Sequence, residues 1–249
     1  MRIFAKILLA TLAFHAAHLM AQNIQPEAQQ LVDAANRSRA EAGAGALTWD
    51  PALAAAAHAH CLLMAEEGPI SHQYADEPDL TMRASQAGAH FSLVEENVAM
   101  GDSPARIHQM WMNSPGHRQN LLNPRVDRVG ISVVYARGQL YAVADYARGV
   151  EILGNRQIEA RVAALLAPYG LKIHSDNHVA REYCGNDEHI HGPNPPHFLM
   201  RWTASGLTAL PSQLTERLST GKYQAAEIGS CQPQNTQGFT DYQLAVLLY

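Results

Sequence analysis

Positive charge is scarce in this chain. Lysine and arginine together number 18 against 23 acidic residues, a formal net charge of −5. That balance excludes the basic stripe of a nucleic-acid binder and a polybasic membrane anchor. Long apolar runs are missing too: the stretch from Ile7 to Met20 is interrupted by Thr11, His15 and His18 and is too short to span a bilayer. The motifs that announce many enzymes are absent, with no Gly-x-Ser-x-Gly elbow, no His-Glu-x-x-His, no phosphate-binding glycine loop and no Cys-x-x-Cys pair. Disorder is excluded by composition, since 47% of residues are hydrophobic and 16% charged.

What is present begins with the first residues. Arg2 and Lys6 precede the apolar run, and Leu19-Met20-Ala21 places a small residue before Gln22. This is the layout of a secretory signal peptide over residues 1–21, and a buried N-terminal helix fits the charged start less well. No cysteine stands at the expected cut, so a lipid anchor has no attachment point. The mature chain is therefore expected in the periplasm or secreted, with no membrane-spanning segment. Of the three cysteines, Cys61 lies on the apolar face of a helical run and reads as a small core residue. Cys184 and Cys231 lie in turn-rich segments of the last third, which favours a disulfide between them.

Helix signals dominate the first half. Pro26 suits a first helical position, and Leu31, Ala34, Ala35 and Ser38 recur at helical spacing until Gly43 and Gly45. Asp50-Pro51 caps a second helix expected to run to about Glu67, a short helix covers Thr81 to Ala87, and Ser103-Pro104 opens another that Pro115-Gly116 ends. Two β-rich runs, Gly130 to Tyr135 and Gln139 to Tyr146, flank a glycine loop and read as an antiparallel hairpin. Helices first and strands later predict an α+β domain. After Val150 the character changes. A helix over Ile158 to Leu166 precedes a polar stretch reaching Pro196, and the remainder predicts strands at 197–203, 225–230 and 242–249 with a helix over 210–218. The expected division is a first domain over 22–149 and a smaller α+β domain with an antiparallel sheet over 150–249. No convincing internal repeat is visible.

The most informative residues are Ser71-His72, then Glu95-Glu96-Asn97-Val98-Ala99, then Trp111-Met-Asn-Ser-Pro-Gly-His117-Arg-Gln-Asn-Leu-Leu122, followed by Val129-Gly130-Ile131. In this order and spacing they resemble the CAP superfamily of cysteine-rich secretory, antigen 5 and pathogenesis-related proteins, most of all its short bacterial branch. Asn36-Arg-Ser-Arg39, Leu47-x-Trp49 and Leu53-x-x-x-Ala57 fit the family's first two helices, so the resemblance covers residues 25–148. It implies an α-β-α sandwich with a cleft lined by two histidines and two acids. Carried over, these are His72, His117 and Glu96. The second acid, three residues after the tryptophan in eukaryotic members, falls on Ser114. Glu95 replaces the glycine that usually precedes the Glu-Asn pair and is the candidate stand-in.

Two imidazoles and a carboxylate are a reasonable ligand set for Zn²⁺ or another divalent metal, or else a hydrogen-bonded network that pins the cleft loops. No cofactor is required by the pattern. The leading expectation is an exported protein that binds a lipid or sterol-like molecule, an envelope component or a divalent metal in this cleft, rather than an enzyme. The alternatives are a metal-assisted hydrolase using the same residues, and an envelope- or host-interaction protein that binds through its C-terminal domain. His58 and His60 point to different sides of their helix and form no joint site. The run Glu188-His189-Ile190-His191 reads as a solvated loop.

Overall fold

The computed structural model describes residues 24–185, 194–231 and 238–249; the expected signal peptide and the histidine-rich run at 188–191 lie outside them. The first half comprises α1 (Pro26–Glu41), β1 (Thr48–Trp49), α2 (Pro51–Glu67), α3 (Leu80–Gln86), β2 (Phe91–Gly101), α4 (Pro104–Asn113), α5 (Pro115–Leu122), β3 (Arg128–Ala136) and β4 (Gln139–Gly149). The helix starts follow from local chemistry. Asp50 accepts hydrogen bonds from the amides of Ala52 and Leu53, Asp79 from that of Met82 and Ser103 from that of Arg106, each satisfying donors that an open first turn leaves unpaired.

The strands form a four-stranded sheet in the order β1-β3-β4-β2, with β1 parallel to β3 and the other pairs antiparallel. Both faces are covered. Leu31 and Ala35 of α1, Ile107 and Trp111 of α4 and Leu121 of α5 pack with Val129, Ile131, Ala144 and Tyr146 on one face. Ala57, Cys61 and Met64 of the almost wholly apolar α2 pack with Val98, Tyr141 and Val143 on the other. The result is an α-β-α sandwich in which β2 is an edge strand.

Three elements depart from the sequence expectations. β2 was not expected at all, because its middle is Glu95-Glu96-Asn97, residues with low strand preference; its long antiparallel pairing with β4 supplies what propensity does not. Pro115-Gly116 ends α4 as expected but also opens α5, because Ser114 turns extended (φ −92°, ψ 121°) and Pro115 then sits at a first helical position where its missing amide hydrogen costs nothing. Thirdly, the polar stretch before Pro196 contains a helix, described next.

The second half comprises α6 (Asn155–Leu166), β5 (Lys172–Ile173), α7 (His178–Gly185), β6 (Phe198–Ala204), α8 (Ser212–Leu218), β7 (Ala225–Cys231) and β8 (Tyr242–Leu248). Its four strands form a separate sheet in the order β5-β7-β8-β6. Cys184 of α7 and Cys231 of β7 are disulfide-bonded, with Cα atoms 5.7 Å apart. Cys61 is a buried free thiol, and burial pushes it up to about 12. Among the described residues no helix is long and apolar enough to cross a membrane.

Candidate functional site

The edge strand β2 organises the site through its alternation. Glu96 faces the α2 side of the sheet, whereas Glu95 and Asn97 face the α5 side. Asn97 donates through Nδ2 to the carbonyl of His117 at 2.9 Å, and Asn120 donates to the Glu96 carbonyl at 3.0 Å and to Asn97 Oδ1 at 3.1 Å. The two asparagines of the sequence pattern thus fasten α5 to β2. This brings His117 to the sheet edge from one face while the loop before α3 brings His72 from the other. Their ring centroids lie 6.5 Å apart.

Beneath His72 is a buried ionic cluster. His72 Nδ1 lies 2.8 Å from Glu96 Oε1, and the other oxygen of Glu96 accepts a hydrogen bond from Arg83 Nη2. Arg83 also donates from Nη1 to the carbonyls of His72 (3.2 Å) and Pro78 (3.3 Å), so one guanidinium fixes the loop and neutralises the acid under it. Its Nε lies 3.6 Å from Glu77 Oε1, which is 2.7 Å from His60 Nδ1 on α2; His60 Nε2 in turn donates to the Ser71 carbonyl at 2.9 Å. The side chains of Glu96, Arg83 and Glu77 are buried, whereas that of His72 is 60% exposed.

Asp145 of β4 stands directly opposite Glu96 in the ladder and is wholly buried. Its carboxyl oxygens meet no hydrogen-bond partner among the described residues. Burial first, and the neighbouring Glu96 charge second, push this carboxyl well above the ordinary range. The two histidines are shifted in opposite senses. The hydrogen bond to Glu96 raises His72, while burial and then the nearby His72 charge lower His117.

The remaining sequence candidates lie elsewhere. Glu95 accepts two hydrogen bonds from Asn123 Nδ2, at 2.8 and 3.0 Å, just past α5. The strand's alternation therefore turns it away from the cluster it was expected to complete. Ser114 lies at the α4–α5 junction, where its amide donates to the Met110 carbonyl and its carbonyl accepts from Arg118. His58 bonds Ser132 on β3 and His60 joins the cluster, in keeping with their opposite directions on α2. Sequence reasoning missed His60, Glu77, Arg83 and Asp145. One signal was available: Arg83 is the only charged residue of α3, and a lone charge in a short helix needs a partner.

A three-ligand metal centre does not fit this arrangement. Both oxygens of Glu96 are engaged, one by a buried cation, and among the described residues no group of three or more His, Cys, Asp or Glu side chains is placed to hold a metal ion. The imidazole pair, His72 exposed and His117 half-buried, remains as the chemically available part. A cavity of about 400 Å³ lined by Ala89, Ile158, Phe239 and Tyr242 lies away from it, between the two halves.

A central sheet between helices, with paired histidines over a buried acid at its edge, defines the class of protein. Residues 32–146, somewhat under half of the chain, match the model of the CAP (Cysteine-rich secretory protein) family, so the chain carries a CAP domain there. Among curated relatives, the "Uncharacterized membrane protein YlbC" of Bacillus subtilis is 33% identical over 107 residues, covering 42% of this chain and 31% of that protein. The "Uncharacterized protein YkwD" of the same organism is 29% identical over 107 residues, covering 43% of this chain and 42% of the relative. The chain thus spans well under half the length of these relatives. Among solved structures, an outer surface protein of Borrelia burgdorferi is similar at 20% identity with a TM-score of 0.48, covering 51% of this chain and 96% of that one. An extracellular SCP-domain protein of Bacillus anthracis is similar at 29% identity with a TM-score of 0.45, covering 48% and 39%.

Proposed function

We propose that this chain is an exported binding protein whose CAP cleft, at His72 and His117, recognises a lipid or other envelope component bearing an anionic group. The observation that carries the reading is the exposed His72 ring held at 2.8 Å by a carboxylate that Arg83 already neutralises. A ring so placed takes up a proton readily, yet its outward face stays accessible, which makes it a cationic donor for an anion. His117, whose proton affinity burial lowers, adds a second polar contact. Metal-assisted hydrolysis draws less support, because both oxygens of Glu96 are already engaged, by His72 and by Arg83.

The test is retention on purified envelope material and on vesicles of anionic or neutral lipid, comparing the wild type with the His72→Ala/His117→Ala double variant. A loss of about tenfold or more in affinity, the effect of removing a charge-assisted contact worth about 1.4 kcal/mol or more, is expected on the anionic surface. Equal retention of both proteins would reject the cleft and favour binding through the C-terminal half. A parallel zinc titration reads the metal expectation directly. Export itself is checked by intact mass, which should show cleavage near Ala21.

A further inference from the structure

We infer that residues 155–248 are a second, reduced copy of the fold formed by residues 26–149, carrying the scaffold without the acid cluster. The inference rests on topology, since the two halves show no evident repeat in sequence. Apart from α3, which has no counterpart between α7 and β6, both read helix, two-residue strand, helix, strand, helical connection, strand, strand. Both sheets place these strands in the same spatial order: β1-β3-β4-β2 in the first and β5-β7-β8-β6 in the second. Strand polarity is the same throughout. β1 is parallel to β3 as β5 is to β7, and the remaining pairs are antiparallel in both. Four strands can be ordered and oriented in dozens of ways, so agreement in order and in polarity is a specific match.

The layers agree as well. In the first half α1, α4 and α5 cover one face and α2 the other. In the second, Ile158, Val162 and Leu166 of α6 and Leu214 and Leu218 of α8 pack together on one face. Ala180, Tyr183 and Cys184 of α7 pack on the other, against Ala245 and Leu247. The parallel ladders repeat bond for bond: Thr48 N donates to Asp127 O and Asp50 N to Val129 O, while Lys172 N donates to Gln224 O and His174 N to Ala226 O.

A glycine completes the correspondence. A Cβ added at Gly130 of β3 would lie 2.0 Å from Ala54 N and 2.2 Å from Leu53 C, at the third and fourth residues of α2. A Cβ at Gly229 of β7 would lie 2.2 Å from Ala180 C and 2.4 Å from Arg181 N, at the third and fourth residues of α7. Each helix therefore settles on its strand at a residue that only glycine can be. In the second copy this contact falls one pleat further along from the parallel ladder, and the link from β5 to α7 is longer.

Matched on these glycines, the row Gly130–Asp145–Glu96 across β3, β4 and β2 corresponds to Gly229–Ala245–Arg201 across β7, β8 and β6. Neither buried acid has a counterpart. The second copy kept the layers and the close helix contact, replaced the acid pair, and gained the Cys184–Cys231 bond joining the same helix and strand.

Amide hydrogen exchange on the full chain tests this, using Gly229→Ala, Gly130→Ala and Gly206→Ala, the last at a site with nothing within 4 Å. Gly229→Ala should speed exchange about tenfold or more in α7 and β7 while leaving 26–149 unchanged. Gly130→Ala should do the same to α2 and β3 while leaving 155–248 unchanged, and Gly206→Ala should do neither. Wild-type protection of α7 in Gly229→Ala would overturn the inference. Should a glycine variant fail to fold, interstrand NOEs in the labelled wild-type chain decide: Lys172–Ala225 and Ile173–Ala226 parallel contacts together with β7–β8–β6 antiparallel contacts sustain it, and any other strand order overturns it.

Discussion

His72 and His117 face each other with opposed proton affinities. His72 is raised above the ordinary imidazole value of about 6.5, so its contribution to stability is complete below that value and is lost as pH rises through its folded-state pKa. His117 is lowered, so its contribution is present above about 6.5 and is lost as pH falls through its folded-state pKa. Between the two folded values one ring is charged and the other neutral. Imidazole proton resonances followed through a pH series should show His72 titrating above and His117 below free histidine; the reverse order would remove the cationic donor from the proposed cleft. The buried acids make a complementary pair of experiments. Asp145 is raised, so it favours folding at low pH and loses that contribution as pH rises through its folded-state pKa. Asn is shaped like a neutral acid, so Asp145→Asn should stay within about 1 kcal/mol of the wild type at pH 5 and exceed it at pH 9. Glu96→Gln, by contrast, removes the nearer of the two buried anions of Arg83, leaving only Glu77 at 3.6 Å, and should cost about 3–5 kcal/mol. Equal losses in thermal melts of the two variants would show that Asp145 is ionised.

At the scale of elements, the helices of the first half were legible because their boundaries are chemical: Asp50 with Pro51 and Ser103 with Pro104 each announce a start. β2 was hidden because Glu95, Glu96 and Asn97 serve the site rather than the strand, and its partners on β4 lie far along the chain. α7 was hidden for a related reason, since it buries only Ala180, Tyr183 and Cys184 and shows a polar face to the sequence. The candidate site divided in the same way. His72, His117 and Glu96 sit in a recognisable pattern, whereas His60, Glu77, Arg83 and Asp145 reach the cluster from α2, a loop, α3 and β4 through tertiary packing alone. Arg39 shows what such a residue does between elements. Fully buried on α1, it donates to the carbonyls of Gly45, Leu121, Asn123 and Val126, tying α1 to the end of α5 and the approach to β3. Arg39→Ala should cost at least about 3 kcal/mol, since each stranded buried carbonyl costs about 1–3, measured by urea denaturation. A loss below about 1 kcal/mol would mean that water replaces the guanidinium.

Across the whole molecule, two sheets with separate cores meet through residues 238–242: Thr240 N donates to the Phe91 carbonyl at 2.8 Å, the Phe91 and Phe239 rings meet edge to face at 5.6 Å, and the Tyr242 hydroxyl donates to the Glu151 carbonyl at 2.5 Å. The disulfide reinforces one side of this arrangement only. Replacing Cys184 and Cys231 by serine should remove about 4 kcal/mol from the second half, by the entropy of the loop it closes. Calorimetry should then split one transition into two, with the first half melting as before. Retention of a single, unshifted transition would mean that the bond adds nothing to the packing of α7 on β7.

The thiol left over has a consequence for how the chain matures. Cys61 lies in the half that is synthesised first, and its Sγ is sealed against the Tyr141 carbonyl at 3.1 Å. A chain folding from its N-terminus has the partners of Cys61 in place once β4 is made, before Cys184 and Cys231 follow it out. On that order of folding, Cys61 is already out of reach when Cys184 and Cys231 come together.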